Sequence, residues 1–225
     1  MSGPARIAFV TIGQTPRSDI VPEMMAEIVA GQDGKVAFEE FGVLDGLDGE
    51  ALDAFRAEDG ELSFATRLAD GREIVSSKER TELRLNEILA DVDAKGFDVV
   101  VLLCTGTRIE PLKNTLVVEA QRIVDSTVEA LAASCRKLGV ILPLERQVRE
   151  FAQRHVFAGD PVVVSASPYS GGGMAAGAKG VAGCDLVVMH CMGYTAAMLE
   201  DVRSVVDAPV LLSRRVVAGV VRQMI

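Results

Sequence analysis

The chain has 225 residues and a formal net charge of −9, and is 49% apolar, 24% charged and 4% aromatic, with no tryptophan. That length supports one large domain or two small lobes around a sizeable core, and the balance is that of a globular chain. The negative charge argues against a phosphate-backbone partner, and the few aromatic faces argue against a stacking platform for single strands, so no nucleic-acid partner is expected.

Met1 to Arg6 run straight into a strand-like stretch with no signal-peptide core, and no apolar run approaches the ~18 residues that span a bilayer. A cytoplasmic protein with no membrane partner is expected. Its four cysteines, Cys104, Cys135, Cys184 and Cys191, then read as reduced thiols. Their spacings fit no CxxC pattern, and only His155 and His190 are available, so no metal site is predicted.

In chain order, Ile7 to Val10 predicts the first strand. Ser18 to Val29 predicts a helix, with Ser18 as N-cap and Ile20, Val21, Met24, Met25 and Ile28 at helical spacing. Val36 to Phe41 predicts a strand, Glu50 to Phe55 a short helical piece, and 61–76 a β-hairpin turning at Asp70-Gly71. Lys78 to Val92 reads as a helix and Asp98 to Leu103 as a buried strand. Leu116 to Leu138 reads as one helix closed by Gly139 at its C′ position. Strands follow at Val140–Leu142, Val162–Val164, Leu186–Met189 and Val210–Leu212. Between and after them lie helices at Leu144–Arg154, Gly172–Ala182, Thr195–Val205 and Arg215–Met224. Wholly apolar strands need cover on both sheet faces, which predicts a largely parallel sheet and an α/β fold of Rossmann-like layering.

An internal echo stands out. Gly96-Phe97-Asp98 leads through apolar positions to Cys104-Thr105-Gly106, and Gly183-Cys184-Asp185 leads in the same way to Cys191-Met192-Gly193, 87 residues later. Each unit puts a cysteine at the carboxyl end of a buried strand, where open α/β sheets bind ligands. The glycine after each lets backbone approach a ligand closely. Two thiols on opposite sides of one carbon suit stereoinversion: a thiolate removes a proton and a thiol returns one to the other face, with no cofactor obligatory. The same thiols are also ordinary packing residues, as Cys135 within a helix and Cys184 before a strand are expected to be.

Other segments carry weaker signals. Thr11-Ile12-Gly13-Gln14-Thr15-Pro16-Arg17 follows the first strand, and Arg17 is suited to bidentate carboxylate binding; the alternative is an ordinary βα turn. It is not a GxGxxG, so no dinucleotide is expected. Ser165 to Gly173 is Gly-rich but lacks GK[ST] and reads as a flexible connector. Strand alternation turns His190 away from Cys191, and Lys78 and Arg80 are expected to face solvent.

At Thr11–Arg17, Leu102–Thr107 and His190–Thr195 the sequence resembles the AroM family, and the likeness continues to Pro209–Ser213. AroM-like proteins resemble the aspartate/glutamate/hydantoin racemase superfamily. The resemblance implies two pseudo-symmetric lobes with a cleft between them, no cofactor, and a cysteine from each lobe as acid and base. It places those roles on Cys104 and Cys191. It puts Thr105, Gly106, Thr107, Met192, Gly193, Tyr194 and Thr195 around the substrate carboxylate, with Gln14, Thr15 and Arg17 at the mouth. Glycine after each cysteine makes the pattern similar to the hydantoin racemase, maleate isomerase and arylmalonate decarboxylase branches.

The expected lobes are 1–108 with 208–225, and 109–207. The expected function is a cofactor-independent racemase, epimerase or isomerase of a small carboxylate or cyclic amide, working as a homo-oligomer. Decarboxylation or cis–trans isomerisation through one nucleophilic or proton-donating cysteine is the second reading, and a ligand-binding or regulatory protein without turnover the third.

Overall fold

Strand β1, Ala5–Thr11, opens the fold in a computed structural model that describes residues 3–31, 36–154, 157, 160–170 and 172–225. Met1, Ser2, His155 and Gly171, named above, lie outside the described residues. The chain forms two compact units, residues 1–120 with 218–225, and 121–217.

In the first unit β1 is followed by α1 (Val21–Ile28), β2 (Val36–Gly42) and α2 (Gly49–Asp53). Helix α1 starts later than expected. Ile20 is its cap position, no side chain caps it, and a proline sits in its first turn, where a fixed φ and a missing N–H cost nothing. The hairpin forms as predicted, β3 (Ser63–Arg67) antiparallel to β4 (Glu73–Ser77), with Gly71 at φ 92°. Helix α3 (Lys78–Asp93) buries Leu85, Leu89 and Val92, one stripe at i, i+4 and i+7. Each such side chain contributes about 1.5–3 kcal/mol by leaving water. β5 (Val99–Leu102) and β6 (Leu116–Glu119) complete a parallel sheet of order β2-β1-β5-β6. Every residue of β5 is buried, as expected for a strand covered on both faces.

The single helix predicted over 116–138 is not found. Residues 116–119 are β6, paired in register with β5 from Val99↔Leu116 to Leu102↔Glu119. The Asp93 carboxylate accepts N–H groups from Lys113, Asn114 and Thr115, which turns the chain into that register. Helix α4 is Ala120–Ala132 only. Gly139 is no helix cap; it lies inside β7 (Leu138–Leu142), where a Cβ would stand 2.8 Å from Val181.

The second unit continues with α5 (Glu145–Arg154), β8 (Val162–Ser165), α6 (Met174–Ala178) and a 3₁₀ turn, Lys179–Val181. Then come β9 (Leu186–Met189), α7 (Ala196–Arg203), β10 (Val210–Leu212) and α8 (Ser213–Arg222). Its sheet is parallel, of order β10-β9-β7-β8. Numbered within each sheet, both follow the order 2-1-3-4, so the eleven-residue echo falls on the third strand of each. The unit boundaries differ from those expected at 108/109 and 207/208, because β6 pairs with β5 and β10 pairs with β9. Among the described residues no helix is long and apolar enough to cross a membrane.

Candidate functional site

The two cysteines of the echo occupy equivalent places in their own sheets. Cys104 is two residues past β5 and Cys191 two residues past β9. The residue before each hydrogen-bonds the first strand of its sheet: Leu103 N–H donates to Val10 O at 2.8 Å, and His190 N–H to Ile141 O at 2.9 Å. None of the four cysteines is in a disulfide.

In the first unit Cys104 is 9% exposed and belongs to the apolar cluster of Ile12, Leu102 and Phe64. Thr105 is half-buried. The buried Thr107 hydroxyl has no hydrogen-bond partner among the described residues. Lys78 does not face solvent as expected. Its Nζ donates to Gly106 O at 2.6 Å, lies 3.5 Å from Glu82 and sits over the Phe64 ring. Glu82 in turn accepts the Arg108 N–H at 2.6 Å, so both sides of the turn after Cys104 are tied to the start of α3. Arg80 is also paired, with Glu61 at 2.8 Å.

Gln14, Thr15 and Arg17 meet as the frame of the loop after β1. The Gln14 amide donates to Leu44 O and Leu47 O, both at 3.0 Å, and accepts the Ala69 N–H at 2.9 Å, joining that loop to the hairpin. The Thr15 hydroxyl donates to Asp45 at 2.8 Å. Gly13 is required there, since a Cβ would lie 2.5 Å from Arg67 O and from the Thr66 hydroxyl. The Arg17 side chain is buried, and its fork engages Asp19 of its own chain, at 2.9 and 2.8 Å, while Nη1 donates to Thr11 at 2.7 Å. Burial by itself would raise the Asp19 carboxyl, but the Arg17 hydrogen bonds and charge hold it below the usual carboxylate range.

In the second unit Cys191 is half-buried, and the Gly193 N–H donates to its sulfur at 3.3 Å. A Cβ on Gly193 would lie 2.4 Å from the Tyr169 hydroxyl oxygen and 3.0 Å from Pro168, so only glycine lets this phenol close on the turn after Cys191. The Met192 carbonyl accepts two hydrogen bonds from the buried Arg214, at 3.1 Å from Nε and 2.8 Å from Nη2. Met192 and Tyr194 side chains are core: Tyr194 is wholly buried and donates to Ala166 O at 2.8 Å. Thr195 caps α7 by accepting the Met198 N–H at 3.2 Å. The His190 ring turns to Asp125, at 2.7 Å, between the edges of Phe151 and Phe157.

Lys78, Tyr169 and Arg214 are the side chains at these turns that sequence reasoning did not select. The one available signal was the Gly-rich run after β8, which holds Tyr169. Among the described residues no group of three or more His, Cys, Asp or Glu is placed to hold a metal ion.

The AroM protein family profile matches residues 7–225. No curated protein sequence matches the chain. Solved structures share its fold. One is a maleate cis-trans isomerase of Nocardia farcinica, a cysteine-to-serine mutant with a covalently bound succinylcysteine intermediate (12% identity, 99% of this chain, 93% of that one, TM-score 0.59). Another is the aspartate racemase of Picrophilus torridus (8% identity, 97% of this chain, 93% of that one, TM-score 0.55). A third is an arylmalonate decarboxylase (13% identity, 97% of this chain, 91% of that one, TM-score 0.50). At these identities the likeness is one of fold.

Proposed function

The chain belongs to the AroM family, and from that premise we propose that it is a cofactor-independent racemase, epimerase or isomerase acting on a small carboxylate or cyclic amide. Cys104 and Cys191 are its acid and base. One sulfur takes a proton from a carbon next to a carbonyl, and the other returns a proton to the opposite face.

The observation that carries this reading is the equivalence of the two cysteines. Each follows the third strand of a 2-1-3-4 sheet by two residues, with the same backbone bond just before it. A packing role does not require a thiol at both equivalent positions. Among the described residues the Thr107 hydroxyl is a buried donor at the turn after Cys104, suited to a carboxylate or enolate, and the Lys78 ammonium and the Tyr169 phenol border these turns. Gln14, Thr15 and Arg17 act as positioning residues that hold the loop after β1 at the mouth of the substrate site. Thr105 and Gly106 border the substrate beside Cys104, and Gly193 borders it beside Cys191.

The test is solvent-deuterium incorporation, followed by NMR, across chiral carboxylates, amino acids and hydantoins. Incorporation lost in Cys104→Ala and in Cys191→Ala establishes the reading. Loss of a carboxyl group or cis–trans conversion, abolished by the same variants, favours the nucleophilic alternative, for which the N–H on the Cys191 sulfur is equally suited. Unchanged ligand affinity in both variants, with no turnover of any kind, leaves a binding protein.

A further inference from the structure

We propose that Cys191 is the resting thiolate of the pair and that Arg214 is the positioning residue that holds it so, acting through the Met192–Gly193 peptide. The assignment rests on the reading of the two thiols as acid and base, and extends it by saying which is which.

The geometry is that of one peptide unit. In a trans peptide the C=O and the following N–H point in opposite directions. The Met192 carbonyl is gripped by two nitrogens of Arg214, at 3.1 and 2.8 Å, which fixes the plane. The other end of that plane, the Gly193 N–H, then points at the Cys191 sulfur, 3.3 Å away. Arg214 is 1% exposed, and its charge is permanent, so water screens its pull on the carbonyl little. A cation on the oxygen side withdraws electron density and makes the N–H a stronger donor. A hydrogen bond given to a sulfur favours its charged form.

The surroundings agree with this polarity. Groups bordering the Cys191 turn include the neutral phenol of Tyr169 from the loop after β8 and His190, whose ring is committed to Asp125 of α4. Arg214, from α8, brings a positive charge to this turn. Cys104, by contrast, is packed with Leu102, Ile12 and Phe64, and this burial favours the neutral thiol; the charge on its side is the Lys78 ammonium at Gly106 O, which is paired with Glu82. In the resulting half-reaction the C–H proton moves to the Cys191 sulfur and the electron pair stays on carbon. The carbanion then takes the proton of the Cys104 thiol. Cys104 is left as thiolate and Cys191 as thiol until the protons re-equilibrate with water or the reverse turnover restores them.

The experiment is alkylation of the full-length protein with iodoacetamide between about pH 6 and 9, resolved cysteine by cysteine by peptide mass mapping. The midpoint of each pH profile reports ionisation and is not moved by accessibility. Cys191 should ionise at lower pH than Cys135, the half-buried thiol on the other side of the same unit, and lower than Cys104. In Arg214→Met the Cys191 rate at neutral pH should fall about tenfold, a shift of about one pH unit. Arg214→Lys, which keeps the charge but loses the fork, should fall between. Protection of the buried Cys184 certifies that each variant is folded. A Cys104 midpoint below that of Cys191, or a Cys191 profile unchanged in folded Arg214→Lys, overturns the proposal. If Arg214→Met exposes Cys184, the native profiles and Arg214→Lys decide alone. Since no substrate enters the assay, an absent deuterium exchange with these profiles intact would count against the proposed function and not against the thiolate.

Discussion

Arg17 and Asp19 form a buried two-pronged ion pair, 2.9 and 2.8 Å, at the loop after β1. Their side chains are only 3% and 12% exposed, so removing one partner strands a charge inside the protein. Asp19→Asn should therefore lower stability by about 3–5 kcal/mol in urea unfolding at neutral pH. The sign of the pH effect follows from the lowered Asp19 carboxyl. Its stabilisation is fully present above the unfolded carboxylate value and is lost as pH falls through the lower folded value. The gap between native protein and Asp19→Asn should narrow only under acid conditions; a gap that closes near neutrality contradicts this account.

Gly193 and Tyr169 are coupled by contact. Gly193→Ala places a Cβ where the Tyr169 hydroxyl lies, 2.4 Å away. The phenol and its loop must move, at about 1–3 kcal/mol. Tyr169→Ala removes the nearer obstacle and leaves Pro168 at 3.0 Å. The double variant should be more stable than the sum of the two single losses implies, with a coupling of about 0.5–3 kcal/mol in a mutant cycle. Strict additivity would mean that the two do not touch.

These contacts show where the sequence was legible. Strand-end cysteines could be read because an apolar run followed by Cys-x-Gly is local, and the matching sheet orders give the echo its structural meaning. β6 was not legible: Leu116-Val117-Val118 runs into α4 without a break, and only pairing with β5 makes it a strand. Gly139 read as a cap because it follows Leu138 at the end of a helical stretch. Its actual reason for being glycine is Val181, 42 residues away. Lys78 and Arg214 went unselected for the same cause, since each grips a carbonyl more than twenty residues away along the chain.

Lys78→Met tests the grip on the turn after Cys104. The hydrogen bond from Nζ to Gly106 O is charge-assisted and 2.6 Å long, and its loss should cost about 1.5–3 kcal/mol. If Lys78 also serves the substrate, deuterium exchange should fall in kcat/KM by more than the stability loss explains at a temperature where the variant is fully folded. Recovery with Lys78→Arg would assign the effect to the carbonyl grip; no recovery would assign it to a compact ammonium at the substrate.

Asp125→Asn separates a structural partner from a chemical one. Asp125 holds the His190 ring at 2.7 Å and also receives the Gln121 amide, beside Phe151 and Phe157. Losing the charged acceptor should destabilise the protein by about 1–3 kcal/mol. It should leave the Cys191 alkylation profile where it is, because the ring faces α4 while the sulfur accepts from Gly193.

Cys184 supplies the readout that keeps these experiments separate. Burial is the main cause that pushes its thiol up; Asp185 adds to it, and Lys137 opposes it without prevailing. It is also 6% exposed, so it lacks both the thiolate and the access that alkylation needs. In the native protein Cys184 should stay unmodified at neutral pH while Cys135 reacts. In urea it should become reactive along the same curve that far-UV circular dichroism traces for unfolding of the chain. Because its neutral form is the one favoured by folding, its stabilising effect holds below the raised native value only in so far as the unfolded thiol also stays protonated. Above the unfolded value the native state must keep a proton that the unfolded chain releases, and stability falls with rising pH until the native thiol also ionises. Cys184→Ala should remove that alkaline slope. Labelling of Cys184 before the unfolding transition would instead mark local opening of β9 and its neighbours, and any alkylation change seen at Cys191 in a variant would then have to be read as partial unfolding.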